Sequence, residues 1–297
     1  MPFITIRHCP HYYEWITAVG QQRTHRPVLV FIHGWGGSAR YWESTAQALA
    51  QNFDCLLYDL RGFARSQLSP QNRHDCYTLD AYGEDLVQLL QALQVDTATV
   101  IAHSMGTSIA VYFLQQSATQ QSAIQVGRAI LTCGGIFEYD ERAFAAFYRF
   151  GQWVVKFRPR WLYQLPEMDR LLMQRFLYRP IGKHDRQAFL EDYLAASEAA
   201  AMGTLLDAVS QHAIDTLPQH FTDLAIPTLL ISGQYDRIIP PTLGQKAAAL
   251  NPRILHQVMP QVGHFPMLED PEGYLTLIRS FLGVESAIQP TPVGDRG

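Results

Sequence analysis

Several short stretches of the 297-residue chain carry residue types that could together perform acyl transfer. The first is AHSMG at 102–106, where Ser104 stands between an apolar run and a helix-like segment. A serine on a sharp strand-to-helix turn presents its hydroxyl above a sheet, and the turn needs small residues two positions to either side. Ala102 and Gly106 meet that need, so Ser104 is a candidate nucleophile. The plainer alternative is that Ser104 only caps the following helix.

A glycine-rich turn, HGWGG at 33–37, follows another apolar run. Glycines let the backbone approach a reacting group closely, and amides aimed at developing negative charge stabilise it. By position, the two donors should be the N–H groups of Trp35 and of Met105, the residue after Ser104. An ordinary turn between a strand and a helix is the alternative. Phosphate binding is disfavoured because the GxGxxG spacing and the P-loop lysine are absent.

Two further groups follow in the chain. Asp236 lies in GQYDRIIP after an apolar run, and His264 lies in GHFP, 28 residues later, which leaves room for one helix and one strand. Alone, each has a plain interpretation, as a turn aspartate or as one of eleven histidines. With Ser104 they occur in the order Ser, Asp, His, each after a separate predicted strand. His264 is therefore the candidate general base, and Asp236 the acid that orients it.

The elements that must position these groups alternate between strands and helices. We predict edge strands at 3–6 and 12–16, and further strands at 27–33, 53–60, 97–103, 127–133, 226–233 and 253–259. Helical spacing marks 40–51, 79–93, 105–116, 241–250 and 271–282. The alternation predicts an α/β fold with a mostly parallel, twisted sheet flanked by helices. Ligands of such sheets bind at the carboxyl ends of the strands.

Between about 134 and 223 the alternation stops, and the segment is helical in character. We therefore predict a core domain made of 1–133 and 224–282, with a helical lid of 134–223 inserted before the last two strands. Such a lid would roof the strand ends. The polar residues 283–297 are expected to form a disordered tail.

Composition narrows the class of protein. A hydrophobic content of 47% suffices for one large core, and a net charge of -4 gives no overall attraction to nucleic acid. The four cysteines lack paired spacing and are interpreted as reduced thiols of a cytoplasmic protein. Neither a signal-peptide pattern nor a membrane-spanning run is present. We expect no metal and no cofactor.

The landmarks HGWGGS, DLRGFARS (59–66), AHSMG, GQYDRIIP and GHFPMLEDP together resemble the α/β-hydrolase family over about residues 3–282. In that family the pentapeptide around the nucleophilic serine usually begins with glycine, whereas this chain has Ala102 at that position. The resemblance implies a serine esterase or lipase-like enzyme that passes through an acyl-enzyme. Members that open epoxides or displace halide use an aspartate where Ser104 stands. Asp59 and Arg61 are expected to stabilise loops near the glycine-rich turn at 33–37, which we call the oxyanion turn.

The substrate is expected to be a small-molecule ester with an apolar or lipid-like acyl group. We expect it to contact His33, Gly34, His103, Phe137, Ile238 and Phe265. Cleavage of C–C bonds, perhydrolysis and non-catalytic ligand binding are the alternatives.

Residues 134–186 combine twelve aromatic residues with ten basic and six acidic ones. Aromatic rings beside basic side chains suit peripheral contact of the lid with a membrane. The sequence favours the alternative, in which the aromatic residues pack the lid onto the core. It indicates no oligomeric state.

Overall fold

The computed structural model describes residues 2–68, 76–119, 124–137 and 141–284; between 142 and 150 it describes the side chains of 145, 148 and 149 only. Its strands are β1 (Phe3–Ile6), β2 (Cys9–Ile16), β3 (Val28–Ile32), β4 (Asp54–Tyr58), β5 (Thr97–His103), β6 (Gln125–Thr132), β7 (Thr228–Gly233) and β8 (Ile254–Met259). They form one sheet in the order β1-β2-β4-β3-β5-β6-β7-β8. From β4 to β8 all neighbours are parallel.

The helices lie between and after these strands, as the alternation predicts. They are α1 (Glu43–Leu49), α2 (Leu79–Ala92), α3 (Met105–Thr119), α4 (Glu141–Lys156), α5 (Met168–Met173), α6 (Lys183–Ala195), α7 (Glu198–Asp207), α8 (Gln211–Thr222), α9 (Pro241–Ala249), α10 (Pro266–Glu269) and α11 (Pro271–Leu282). Within the described residues, 3₁₀ helices occupy Ala39–Trp42 and Arg160–Gln164. The predicted α/β fold with a mostly parallel sheet is confirmed.

The continuous apolar run of β3 is explained by burial on both faces. Val28, Val30 and Ile32 join the apolar cluster on one side of the sheet. Leu29 and Phe31 join the cluster on the other side. Because successive side chains of a strand point to opposite faces, a strand covered on both sides needs apolar residues at every position.

The prediction that 12–16 is an edge strand is wrong. The first half of β2 pairs with β1, while Tyr13–Ile16 pair with Tyr58–Cys55 of β4, both antiparallel. The two halves of this strand therefore bridge β1, which is the edge, to the rest of the sheet. The mixed polar and apolar residues of β2 are compatible with an interior strand as well as with an edge strand, so the pattern could not distinguish the two.

The helical insertion, α4 to α8, lies between β6 and β7. Its last helix packs on the core, because Ala213, Leu217 and Phe221 are buried in the same cluster as α3. The Tyr112 hydroxyl of α3 also hydrogen-bonds the Thr216 hydroxyl at 2.9 Å. The earlier helices also contribute to the two clusters, for example through Ala200 and Phe189, and they contact loops at the carboxyl ends of the strands, as described below.

Among the residues that the structure describes, no helix combines the length and apolar character needed to cross a bilayer. Helix α11 ends at Leu282 and is capped by Gly283, which adopts a left-handed conformation with φ of 74°. Nearly all of the predicted disordered tail, from 285 onward, lies outside the described residues.

Candidate active site

Ser104 lies in the turn between β5 and α3, with φ of +53°. A left-handed backbone conformation is unfavourable for a residue other than glycine, asparagine or aspartate. Three hydrogen bonds hold its backbone. The Ser104 N–H donates to the Thr132 carbonyl at 2.9 Å, and the Ser104 carbonyl accepts the Thr107 N–H at 2.8 Å and the Thr107 hydroxyl at 2.7 Å. The fold therefore maintains the strained turn that presents the Ser104 hydroxyl.

Gly106 is required by close approach of neighbouring backbone. A Cβ at this position would lie 2.6 Å from the His33 carbonyl oxygen and 2.9 Å from that of Ile32. Any larger residue would push α3 away from β3. At the other end of the pentapeptide, Ala102 is fully buried in the core cluster. The alanine that departs from the usual glycine is thus accommodated within the core.

His264 follows β8 and is brought into contact with Ser104. Its Nε2 lies 2.9 Å from the Ser104 hydroxyl oxygen, and its Nδ1 lies 2.7 Å from Asp236 Oδ2. The carboxylate can only accept, so Nδ1 carries the proton and Nε2 accepts from the serine. The imidazole is buried, whereas Ser104 is partly exposed.

Asp236 uses both oxygens of its carboxylate. While Oδ2 faces His264, Oδ1 accepts the N–H groups of Ile238 at 2.8 Å and of Ile239 at 3.0 Å. These bonds fix the orientation of the carboxylate. The loops of Asp236 and His264 can meet because Gly233 has no side chain: a Cβ there would lie 1.9 Å from the Gly263 carbonyl oxygen.

The turn at 33–37 lies beside Ser104, as the sequence predicts. A Cβ on Gly34 would lie 2.9 Å from the Ser104 Cβ. The Gly34 N–H donates to the Tyr41 hydroxyl at 2.5 Å, which removes this amide as an oxyanion donor. Met105 opens α3, and the first amides of a helix have no acceptor within the helix. The Trp35 and Met105 amides stay our predicted donors.

Two residues predicted to contact substrate, His33 and His103, are fully engaged inside the protein. His33 Nε2 accepts from the Leu60 N–H at 2.9 Å, and its Nδ1 bonds the Gly34 carbonyl at 2.8 Å. Burial holds the pKa of His33 below its ordinary value. The imidazole offers no ring nitrogen to a substrate, so this expectation is corrected: His33 positions the turn.

His103 likewise positions neighbouring groups and has no ring nitrogen available to bind a substrate. Its Nε2 lies 2.7 Å from the His264 carbonyl, and its Nδ1 lies 3.0 Å from the Tyr41 hydroxyl. Burial lowers the pKa of His103 well below its ordinary value. The neutral ring therefore donates from Nε2 and accepts at Nδ1. With Tyr41 it forms a buried chain from the Gly34 amide to the loop of His264.

The other expected substrate contacts differ in placement. Phe265 is buried, and its ring packs 4.7 Å from that of His103 and 5.6 Å from that of His264. It therefore supports the histidines from behind. Ile238 and Phe137 are half-buried and stay predicted substrate contacts.

Sequence reasoning missed Glu269, which lies in the GHFPMLEDP stretch. Its carboxylate accepts the N–H groups of Gly263 and Phe265, on either side of His264. It also accepts those of Tyr178 and Arg179 in the helical insertion, both at 2.8 Å. The His264 N–H in turn donates to the Phe176 carbonyl at 2.7 Å. The insertion and the histidine loop are thus one hydrogen-bonded unit.

Replacing Glu269 with glutamine should loosen this unit. An amide nitrogen cannot accept, so at least one buried N–H would face another donor, at a cost of about 2–3 kcal/mol. We expect that loss in the free energy of unfolding, measured by urea denaturation. We also expect kcat to fall about tenfold, because His264 lies between two released amides. The exposed Glu272→Gln is the control. A loss below about 0.5 kcal/mol would contradict the assigned role.

A second connection joins the insertion to the oxyanion turn. The Ser38 hydroxyl donates to Asp192 Oδ2 at 2.5 Å, and the Arg40 guanidinium pairs with Asp192 and, at 2.9 Å, with Glu191. The Trp35 indole N–H donates to the Ala201 carbonyl at 2.9 Å. Burial raises the pKa of Asp192 to about 6. Helices α6 and α7 thus contact the turn that carries a predicted oxyanion donor.

One group of potential metal ligands lies within the site. The donor atoms of His103, Cys133 and His264 lie within 4.8 Å of one another. The nitrogens of both imidazoles already have the partners described above. Burial raises the pKa of the Cys133 thiol well above its ordinary value, which disfavours the thiolate that a metal needs. These side chains therefore suit structural roles better than metal binding.

The DLRGFARS stretch supports the turn through Asp59. Asp59 accepts the Ala39 N–H at 2.9 Å and pairs with Arg65, its Oδ2 lying 2.6 Å from the Arg65 Nε. Arg61 instead faces Asp85, at 2.8 Å, and the Cys76 carbonyl. Asp59 therefore stabilises the segment after the oxyanion turn, whereas Arg61 holds a different loop.

Known proteins share this architecture. The proline iminopeptidase of Heyndrickxia coagulans is 27% identical over 286 residues, which cover 86% of this chain and 90% of that protein. A hydrolase from Pseudomonas aeruginosa PA01 superposes with a TM-score of 0.76 at 21% identity, covering 95% of this chain and 98% of that one. A putative lipase from Acinetobacter baumannii AYE superposes with a TM-score of 0.75 at 21% identity, covering 95% and 90%. At these identities the structural likeness shows the fold alone.

The family assignment rests on a match along most of the chain. The model of the alpha/beta hydrolase fold family matches residues 27–271, which include the oxyanion turn, Ser104, Asp236 and His264. In the structure the turn at 33–37, Ser104, Asp236 and His264 each follow a strand of the mostly parallel sheet. The chain therefore belongs to the alpha/beta hydrolase fold family and is a hydrolase.

Proposed function

We propose that this protein is a serine hydrolase of carboxylic esters, with Ser104 as nucleophile, His264 as general base and Asp236 as the orienting acid. One observation carries the proposal. An unbroken hydrogen-bond chain runs from Asp236 through His264 to a serine held at positive φ. A nucleophile, a base within hydrogen-bond reach and a group that orients the base are the parts that acyl transfer needs.

The reaction proceeds in two halves. The Ser104 oxygen attacks the ester carbonyl carbon while its proton passes to Nε2 of His264. The oxyanion is stabilised by the N–H groups of Trp35 and Met105. The bond to the leaving alcohol then breaks as His264 returns the proton to it. Water then attacks the carbonyl carbon of the acyl-enzyme as one of its protons passes to His264. The bond to the Ser104 oxygen breaks as His264 returns that proton to it, which releases the acid and restores the hydroxyl.

The helices α4 to α7 would act as a lid over this site. The proposal rests on their hydrogen bonds to the His264 loop and to the oxyanion turn. Aromatic rings accompany these contacts: Phe176 lies 6.0 Å from the His264 ring, and Tyr193 lies 6.1 Å from that of Trp35. An aromatic lining favours an apolar acyl group over a charged one.

A series of p-nitrophenyl esters from acetyl to decanoyl tests the substrate class. Each added CH₂ that enters an apolar pocket contributes about 0.8 kcal/mol, so kcat/KM should rise about fourfold per carbon over the first members. A flat profile, or one that falls from acetyl onward, would contradict an apolar acyl pocket. Ser104→Ala measured on the same esters serves as the background.

Amide cleavage is the competing chemistry, since a 27% identical relative is named a proline iminopeptidase. A prolyl p-nitroanilide added to the ester series separates the two. We expect kcat/KM for the hexanoyl ester to exceed that for the prolyl amide by at least a hundredfold. The reverse order would replace the ester proposal by an aminopeptidase one, on the same three residues.

A further inference from the structure

An aromatic surface stands on the outer side of the helical insertion. Trp153 at the end of α4, Phe157 after it and Trp161 in the following 3₁₀ helix are 63%, 50% and 51% exposed. The rings of Trp153 and Phe157 stack, with centroids 5.8 Å apart and planes 15° apart. Tyr163 and Leu165, just beyond, are also exposed. We call these five residues the aromatic face.

The segment that carries the aromatic face has charges of one sign, and the nearby Glu191 of α6, which hydrogen-bonds Tyr163, is itself paired with Arg40. Residues 142–166 contain five basic residues and neither aspartate nor glutamate. Arg149, Lys156 and Arg160 are exposed among them. A surface with large rings and an excess of cations is complementary to one that has an apolar interior and anionic groups at its surface. That description fits a bilayer containing acidic lipids.

The opposite side of the same elements points inward. Val155 is buried, and the Arg158 guanidinium donates to the Tyr193 carbonyl at 2.9 Å. The Tyr193 ring in turn faces Trp35 of the oxyanion turn. The aromatic face therefore lies on the outside of an element whose inside reaches the candidate site.

We propose that the aromatic face is a docking surface for anionic membranes, with its rings in the headgroup region and the three exposed cations against lipid phosphates. The proposal goes beyond ester hydrolysis and holds whether or not the site cleaves esters. Tryptophan and tyrosine favour the membrane interface because each ring is apolar with one polar group. The attraction of the cations should weaken with salt.

Co-flotation with vesicles tests the proposal, with Ser104→Ala as the full-length parent so that catalysis plays no part. We expect the parent to float with phosphatidylcholine–phosphatidylglycerol vesicles (1:1) at low salt and to bind pure phosphatidylcholine at least tenfold more weakly. Trp153→Ala with Phe157→Ala and Trp161→Ala should lower the binding at least tenfold. Arg149→Gln, Lys156→Gln and Arg160→Gln should each lower it about fivefold.

The matched control removes exposed apolar side chains elsewhere. Leu255 and Val258 of β8 are 53% and 46% exposed, and Leu255→Ala with Val258→Ala should leave binding unchanged. No flotation of the parent at low salt would overturn the proposal, and so would equal losses in the control and the aromatic variants. Circular dichroism verifies that each variant is folded. The alternative partner of the aromatic face is a second copy of the chain. If size-exclusion chromatography shows a dimer that the aromatic variants break, and no variant binds vesicles, the proposal is also overturned.

Tryptophan fluorescence supplies a second readout. Lipids brominated on the acyl chain quench only rings at the bilayer. Trp153 and Trp161 should be quenched when the parent meets anionic brominated vesicles, and Trp153→Phe with Trp161→Phe should abolish that quenching. Trp42, which is fully buried, supplies an unquenched background. Quenching that persists in the double variant would place the contact elsewhere and contradict the proposal.

Discussion

Replacing Ser104 with alanine should reduce kcat/KM for a p-nitrophenyl ester by about 10⁵-fold or more, because no other group can form the acyl-enzyme. The backbone bonds that hold the turn do not use the hydroxyl. The melting temperature should therefore stay close to that of the wild type. Stopped assays with long incubation are needed to quantify the remaining rate.

The control for this variant is Ser117→Ala in the same helix, whose hydroxyl bonds the Leu114 carbonyl within α3. It should retain full activity. If Ser104→Ala kept more than about 1% of the wild-type rate, after exclusion of a contaminating esterase, the acyl-enzyme mechanism could not stand. Hydrolysis would then proceed by direct attack of water.

Replacing Asp236 with asparagine should lower kcat by about 10⁴-fold with little change in KM. The two amides of Ile238 and Ile239 would keep the asparagine oxygen and turn its NH₂ toward His264. Nδ1 must then accept, so the proton moves to Nε2 and faces Ser104. A ring with its proton on Nε2 cannot take the serine proton. Steady-state kinetics, normalised to folded protein, measure this effect.

The exposed Asp215→Asn is the matched control and should behave as the wild type. A loss of less than tenfold in Asp236→Asn would show that the carboxylate does not set the tautomer of His264. The hydrogen-bond chain would then be a structural contact, and another acid would have to be sought. His264→Ala should reduce activity as much as Ser104→Ala does. Comparing it with Asp236→Asn distinguishes loss of the general base from loss of the group that orients it.

The fold was predictable because its signals are local. A strand buried on both faces, such as β3, needs apolar residues at every position, and this leaves an uninterrupted apolar run in the sequence. Ser104 follows β5 directly and Asp236 lies three residues after β7, whereas His264 follows β8, a more exposed strand at the edge of the sheet. Parallel strands bring their carboxyl ends to one edge, so residues distant in the chain were expected to meet there.

The errors arise where the outcome depends on tertiary partners. His33 and His103 adjoin the candidate site in the sequence, and this position suggested that they contact the substrate. Whether a histidine faces the pocket or the core is decided by distant groups, here the Leu60 amide and the Tyr41 hydroxyl. Glu269 was missed for the same reason. A carboxylate that accepts backbone N–H groups from two distant segments leaves no spacing pattern in the chain.

The network around the site has one functional consequence. The loop of His264 is bonded to the insertion through Phe176 and Glu269, and the oxyanion turn is bonded to it through Asp192 and Ala201. The proposed base and the proposed oxyanion donors therefore share a support outside the sheet. Changes in the insertion should affect kcat as well as substrate selection, since the geometry of the reacting groups depends on it.

The most direct test of the account is intact-mass spectrometry after reaction with an alkyl fluorophosphonate. The Ser104 oxygen displaces fluoride from phosphorus, so we expect one phosphonyl adduct per chain, located on Ser104 by peptide mapping. The adduct should be absent in Ser104→Ala and form far more slowly in Asp236→Asn. Ester turnover by the wild-type protein without an adduct at Ser104, or with the adduct on another residue, would contradict the claim that Ser104 is the activated nucleophile.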